Sequence, residues 1–132
     1  MNPNLRYALA VIAGLSAGML TVSGVDALCG GLAGNPAPKT EAEMQLLLQS
    51  MPLYVQTLMM VGWGLAGAVA GFFSTWVNRK RALNPALILG ALLMVATATN
   101  LYNLPHPTFM WVGVLFPVPF ARLGAQAAFR LF

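Results

Sequence analysis

The sequence predicts an all-α membrane protein with four transmembrane helices, a short interfacial helix and both termini on the cytoplasmic side. Three observations carry this expectation. Of 132 residues, 58% are hydrophobic and only 8% are charged, against about a quarter charged in soluble proteins. Four apolar runs are each long enough to cross a hydrocarbon core, which takes about 20 helical residues. The basic residues fall almost entirely on one side of those runs, as orientation in a membrane requires.

Span one covers about residues 7–28 and carries no charge before Asp26. Its start resembles a secretory signal, with Arg6 before the apolar run and small residues near Ala27. The run exceeds an ordinary signal core, so it is expected to stay as a helix. Span two covers about 53–77 with no charge at all, and span three about 83–103. Span four covers about 108–129, crossing Pro117, Pro119 and Arg122. All four are expected to be helical, because lipid offers nothing to unpaired backbone groups. The whole chain, 1–132, reads as one helical-bundle domain.

Orientation follows from lysine and arginine. Arg6 precedes span one; Arg79, Lys80 and Arg81 sit between spans two and three; Arg122 and Arg130 end span four. Four crossings put these six on one side and leave only Lys39 on the other. The positive-inside rule then makes the arrangement N-in/C-in, with 29–52 and 103–107 facing outward. Cys29 and Lys39 are expected to react with impermeant reagents from outside. The net charge of +4 is sparse and lies beside apolar spans, so it argues for a lipid bilayer rather than nucleic acid as the partner.

Between spans one and two, "GGLAGNPAP" is a turn-forming stretch. "KTEAEMQLLLQSMP" then starts a helix over about 41–50, with Thr40 as N-cap and Glu43 at capping-box spacing. Met44, Leu47 and Leu48 share a face, so this helix is expected to lie on the outer interface.

Without a water-driven force between helices, close packing needs small residues. Gly14 and Gly18 in span one and Gly67 and Gly71 in span two have that spacing, and Ala86, Gly90, Gly124 and Ala128 extend it. The pattern fits packing within one chain and packing between copies equally well.

Candidate chemistry is thin. "GLSAG" at 14–18 matches a serine-nucleophile motif literally, but it lies mid-helix, where no strand-to-helix elbow exposes Ser16. Cys29 is the only cysteine, which excludes an internal disulfide. One histidine and one nearby acid are too few for a zinc site, so no metal, cofactor or catalytic set is expected. Asp26, at the outer edge of span one, is either a helix-end residue or a proton or cation site. In "NLYNLPHPTFMW", Pro105 and Pro107 set a hairpin, and Tyr102 and Trp111 suit an interfacial aromatic belt. Asp26, Asn100, Asn103 and His106 form a candidate outer polar cluster. Arg122, toward the inner leaflet, either snorkels to the interface or is an inner contact for an anion or lipid headgroup. Gln56, Thr97 and Thr99 are expected to make hydrogen bonds between helices.

The order of these features resembles a group of small, uncharacterised bacterial inner-membrane proteins. The matching elements are Asp26, "NPAP", "TEAE", "GWGLAGAVAG" and "LPHPTFMW". The resemblance implies a fold and a bacterial inner-membrane location, and no activity. Small multidrug exporters are similar in size, but their acid lies within the first helix, and the middle of span one here has none. Quinone-linked disulfide oxidoreductases need paired cysteines. The expected function is therefore non-enzymatic: a small multi-pass membrane protein that packs with itself or a membrane partner. The alternative is a transporter or channel for protons or small solutes, lined by Asp26, His106 and Arg122.

Overall fold

The computed structural model describes residues 2–32, 39–50, 52–103 and 108–131. The elements are α1 (Pro3–Leu32), α2 (Glu41–Ser50), α3 (Leu53–Asn78), α4 (Asn84–Asn103), a 3₁₀ segment (Thr108–Leu115) and α5 (Pro117–Phe129). No strand occurs among the described residues. Four stretches are long and apolar enough to cross a membrane: Pro3–Gly31, Leu53–Asn78, Asn84–Asn103 and Thr108–Phe129.

Helix α3 is the hub. Over half of its apolar window is buried (56%), against 17% for α1, and it packs on α1, α4, α5 and the 3₁₀ segment. Contacts along these interfaces fix the directions. Gly14 of α1 lies against Ala70 and Ser74 of α3, Gly18 against Ala66 and Ala70, and Gly62 against Val25. Rising numbers in α1 meet falling numbers in α3, so the pair is antiparallel. Gly67 meets Pro117 and Gly71 meets Ala121, so α3 and α5 run parallel. Gly14 meets Leu89 and Gly18 approaches Leu93, so α1 and α4 run parallel. The four span-length stretches therefore alternate in direction.

The glycines permit these contacts. A methyl group at Gly67 would lie 2.5 Å from the Pro117 carbonyl oxygen and 2.8 Å from its Cα. One at Gly124 would strike the Ala68 backbone. Backbone cannot give way as a side chain can, so α3 and α5 approach this closely only because these positions lack a Cβ. The core proper is a cluster of Cys29, Val55, Met59, Met60, Trp63, Leu101, Met110 and Val114.

Helix α1 continues past the expected end at residue 28, through Leu32. Cys29 is thus helical and 1% exposed, with its thiol 3.8 Å from the Val55 carbonyl. The expected labelling of Cys29 from outside is corrected by this burial: the thiol faces α3, not solvent. Helix α3 ends at Arg79, whose φ of 56° is left-handed and whose N–H donates to the Thr75 carbonyl at 2.9 Å.

Span four is not one α-helix. Pro117 and Pro119 have no N–H to donate back to residues 113 and 115. Phe116 N–H instead donates to Gly113 O at 3.1 Å, an i−3 bond, and the α-helical pattern resumes with Phe120 N–H to Phe116 O at 3.2 Å. Thirteen residues of α5 rise only about 20 Å, short of a hydrocarbon core of about 30 Å. With the 3₁₀ segment, at about 2 Å per residue, the stretch Thr108–Phe129 is long enough for such a core.

Helix α2 begins as its sequence directs. Glu43 N–H donates to Thr40 Oγ1 at 3.1 Å. The Glu43 carboxylate accepts from Lys39 N–H at 2.7 Å, one residue before the N-cap of an ideal capping box. The apolar face expected from Met44, Leu47 and Leu48 concerns side chains outside the described residues.

Candidate functional sites at the two ends of the bundle

Alternating helix directions sort the charges. The start of α1, the α3–α4 turn and the end of α5 share one end, which holds Arg6, Arg79, Lys80, Arg81 and Arg130. The end of α1, the start of α3 and the end of α4 share the other. All three acids of the chain, Asp26, Glu41 and Glu43, belong to the end of α1 and to the connection that leaves it.

Aromatic side chains mark both ends. Tyr54, Tyr102, Phe109 and Trp111 are exposed at the acidic end, Tyr102 to 84%. Trp76 is exposed and Tyr7 half-buried at the basic end. Tyr54 and Trp76 are 22 positions apart on one helix, about 33 Å at 1.5 Å per residue. Between these levels the surface is mostly apolar, with Ile12, Leu20, Val61, Leu92, Val95 and Val112 exposed and Ser16, Ser23 and Arg122 among the polar exceptions.

The outer candidates share an end but are not enclosed. Asp26, Asn100 and Asn103 are each exposed; His106 lies outside the described residues. Arg122 is elsewhere. Gly14 of α1 packs on Leu89, two residues from the Leu87 that flanks Arg122. Twelve residues of α1 separate Gly14 from Asp26, about 18 Å of rise. Asp26 and Arg122 therefore sit at different depths and do not converge. Among the described residues no three of His, Cys, Asp and Glu come together as a metal set.

Arg122 lines an open groove of about 520 Å³ between α4 and α5, with Leu87, Val118, Pro119, Leu123 and Gln126. Gln126 had no place in the sequence-based site, although its i+4 spacing from Arg122 puts both on one helix face. Leu87 belongs to another helix, and only packing brings it there.

Gly14, Gly18, Gly67 and Gly71 are all buried in contacts within the chain. The face that α1 leaves open mixes small and large residues: Ser16, Ser23, Gly24 and Ala27 are exposed beside Ile12 and Leu20, and nothing lies within 4 Å of a methyl placed on Gly24.

The threonines correct an expectation. Thr97 donates to its own helix at Leu93 O, 2.7 Å, and Thr99 to Val95 O, 2.9 Å. Each hydroxyl spends its one proton on its own helix, so neither donates to another helix. Gln56 is buried on α3. At the other end of α3, Ser74, Thr75 and Asn78 are buried too, a polar group the sequence reading did not single out. Ser74 Oγ donates to Gly71 O at 3.1 Å. That carbonyl is also the i−4 acceptor of Thr75, whose Oγ1 has no partner among the described residues.

No protein-family profile, curated protein sequence or solved structure matches this chain.

Proposed function

We propose that this chain is a non-enzymatic multi-pass protein of the bacterial inner membrane, with both termini cytoplasmic, that works by packing against a second copy or another membrane protein. The membrane reading rests on the two aromatic levels about 33 Å apart, close to the hydrocarbon thickness of about 30 Å, with a mostly apolar surface between them. Tyrosine and tryptophan settle at headgroup level because their rings are apolar and their N–H and O–H groups need water. The basic end then faces the cytoplasm. The family resemblance noted above accords with this location.

The packing role rests on one observation, the open face of α1. This helix buries the smallest share of its apolar window, yet presents Ser16, Ser23, Gly24 and Ala27 outward rather than a uniform row of large side chains. Small residues facing lipid give little packing energy there but allow close approach of another helix. Cross-linking tests this in native membranes. In a Cys29→Ser background, Ala27→Cys should give a cross-linked product with a bifunctional maleimide, whereas Leu123→Cys on α5 should not. If Ala27→Cys stays uncross-linked and the protein purifies as a partner-free monomer, the packing role fails.

A further inference from the structure

The groove beside Arg122 has three features of a lipid-binding site. The first is an unmatched charge. Seven residues separate Arg122 from the end of α5 at Phe129, about 10 Å. That places its Cα within the apolar part of the span, where a cation needs a counter-charge or access to the interface. Asp26, Glu41 and Glu43 are the only acids in the chain, and all belong to the opposite end. No acid side chain of the chain lies at this depth, so the guanidinium is met at the interface or by an anion from outside the chain.

The second feature is donor geometry. Gln126 stands one turn beyond Arg122, toward the basic end, and both line the same groove. A guanidinium presents its donors as a fork that matches phosphate oxygens, and the Gln126 amide adds another donor on the headgroup side. The arginine stem is long enough to carry its head toward the interface along apolar surface. The third feature is the remaining lining. Leu87, Val118, Pro119 and Leu123 offer only apolar side chains, suited to the first carbons of an acyl chain. At about 520 Å³ the groove falls within the range of small-ligand clefts, roughly 300–1,000 Å³.

We propose that this groove holds one anionic phospholipid of the inner leaflet. Its phosphate sits on Arg122 and Gln126, and its proximal acyl carbons lie against Leu87, Val118 and Leu123. Arg79, Lys80, Arg81 and Arg130 at the same end favour an anionic over a zwitterionic headgroup. The inference rests on the membrane reading, and flotation of the full chain with vesicles tests that reading separately. Loss of lipid preference in a chain that still floats overturns only the groove.

The experiment is native mass spectrometry of the full chain in detergent, titrated with phosphatidylglycerol, phosphatidylcholine or inorganic phosphate. Phosphatidylglycerol should be retained over phosphatidylcholine. Arg122→Gln should lower that retention about tenfold, the scale of one lost charge-assisted contact. Arg122→Lys keeps the charge but loses the fork, so its retention should fall between wild type and Arg122→Gln, while Arg130→Gln should stay within about threefold of wild type. Equal retention in Arg122→Gln and wild type, or equal retention of the two lipids, overturns the proposal. Displacement of phosphatidylglycerol by inorganic phosphate at millimolar concentration assigns the groove to a free anion and overturns it as well. If Arg122→Gln fails to fold, Leu87→Trp fills the groove with the arginine intact. Loss of phosphatidylglycerol in that variant supports the site, and undiminished retention refutes it.

Discussion

Replacing Gly71 by alanine tests the contact on which the bundle depends. A methyl group there would meet the Ala121 carbonyl oxygen, with the Ala121 carbonyl carbon and Cα at 2.8 and 2.9 Å. Carbon atoms pack best at about 3.5–4.0 Å, so α3 and α5 must part by about 0.7 Å or more. A gap of that size forfeits a quarter to a half of the dispersion energy at each affected contact. Overpacking of this kind costs about 1–3 kcal/mol. Alanine is the better helix former by about 0.8–1 kcal/mol, which leaves a net loss of about 0–2 kcal/mol for Gly71→Ala. Gly24→Ala is the matched control. No atom lies within 4 Å of its added methyl, so only the propensity gain of up to about 1 kcal/mol applies. Both variants can be unfolded by dodecyl sulfate in mixed micelles, followed by the fluorescence of Trp63, which is buried in the core. The expected order of stability is Gly24→Ala, wild type, Gly71→Ala. Equal midpoints for the two variants would refute the close α3–α5 contact.

Four further outcomes are expected. Thr75→Val removes a fully buried hydroxyl that has no partner among the described residues, so it should leave stability unchanged or raise it by about 1 kcal/mol; a loss above about 1 kcal/mol by the same titration would mean that the hydroxyl is bonded. In whole cells an impermeant maleimide should leave Cys29 unmodified, because its thiol is buried against Val55. In a Cys29→Ser background the same reagent should label Lys39→Cys directly and Arg81→Cys only after permeabilisation, and the reverse pattern would invert the topology. Thr40→Ala removes the hydroxyl that accepts from Glu43 N–H, a cap worth about 1 kcal/mol. Helix α2 packs on no other element among the described residues, so hydrogen exchange should quicken in its first turn while the unfolding midpoint stays put.

The sequence alone determined the number and approximate position of the span-length stretches, because a run of about 20 apolar residues has few other stable solutions. It also determined where α2 starts, since Thr40 and Glu43 act on their own backbone. The sorting of charges was legible for a similar reason: alternation of directions follows from the count of spans. What a residue faces is a different matter. The burial of Cys29, the break at Phe116 and the orphan hydroxyl of Thr75 depend on neighbours that the chain brings together from far apart. The glycine pattern had the right spacing but no direction, and only the tertiary structure showed that Gly14, Gly18, Gly67 and Gly71 close the bundle upon itself while Ser23, Gly24 and Ala27 stay open. The candidate site divides in the same way. Arg122 stood out as a cation in an apolar run, but the groove beside it exists only because α4 and α5 lie side by side, and no local pattern in either helix encodes the partner across the gap.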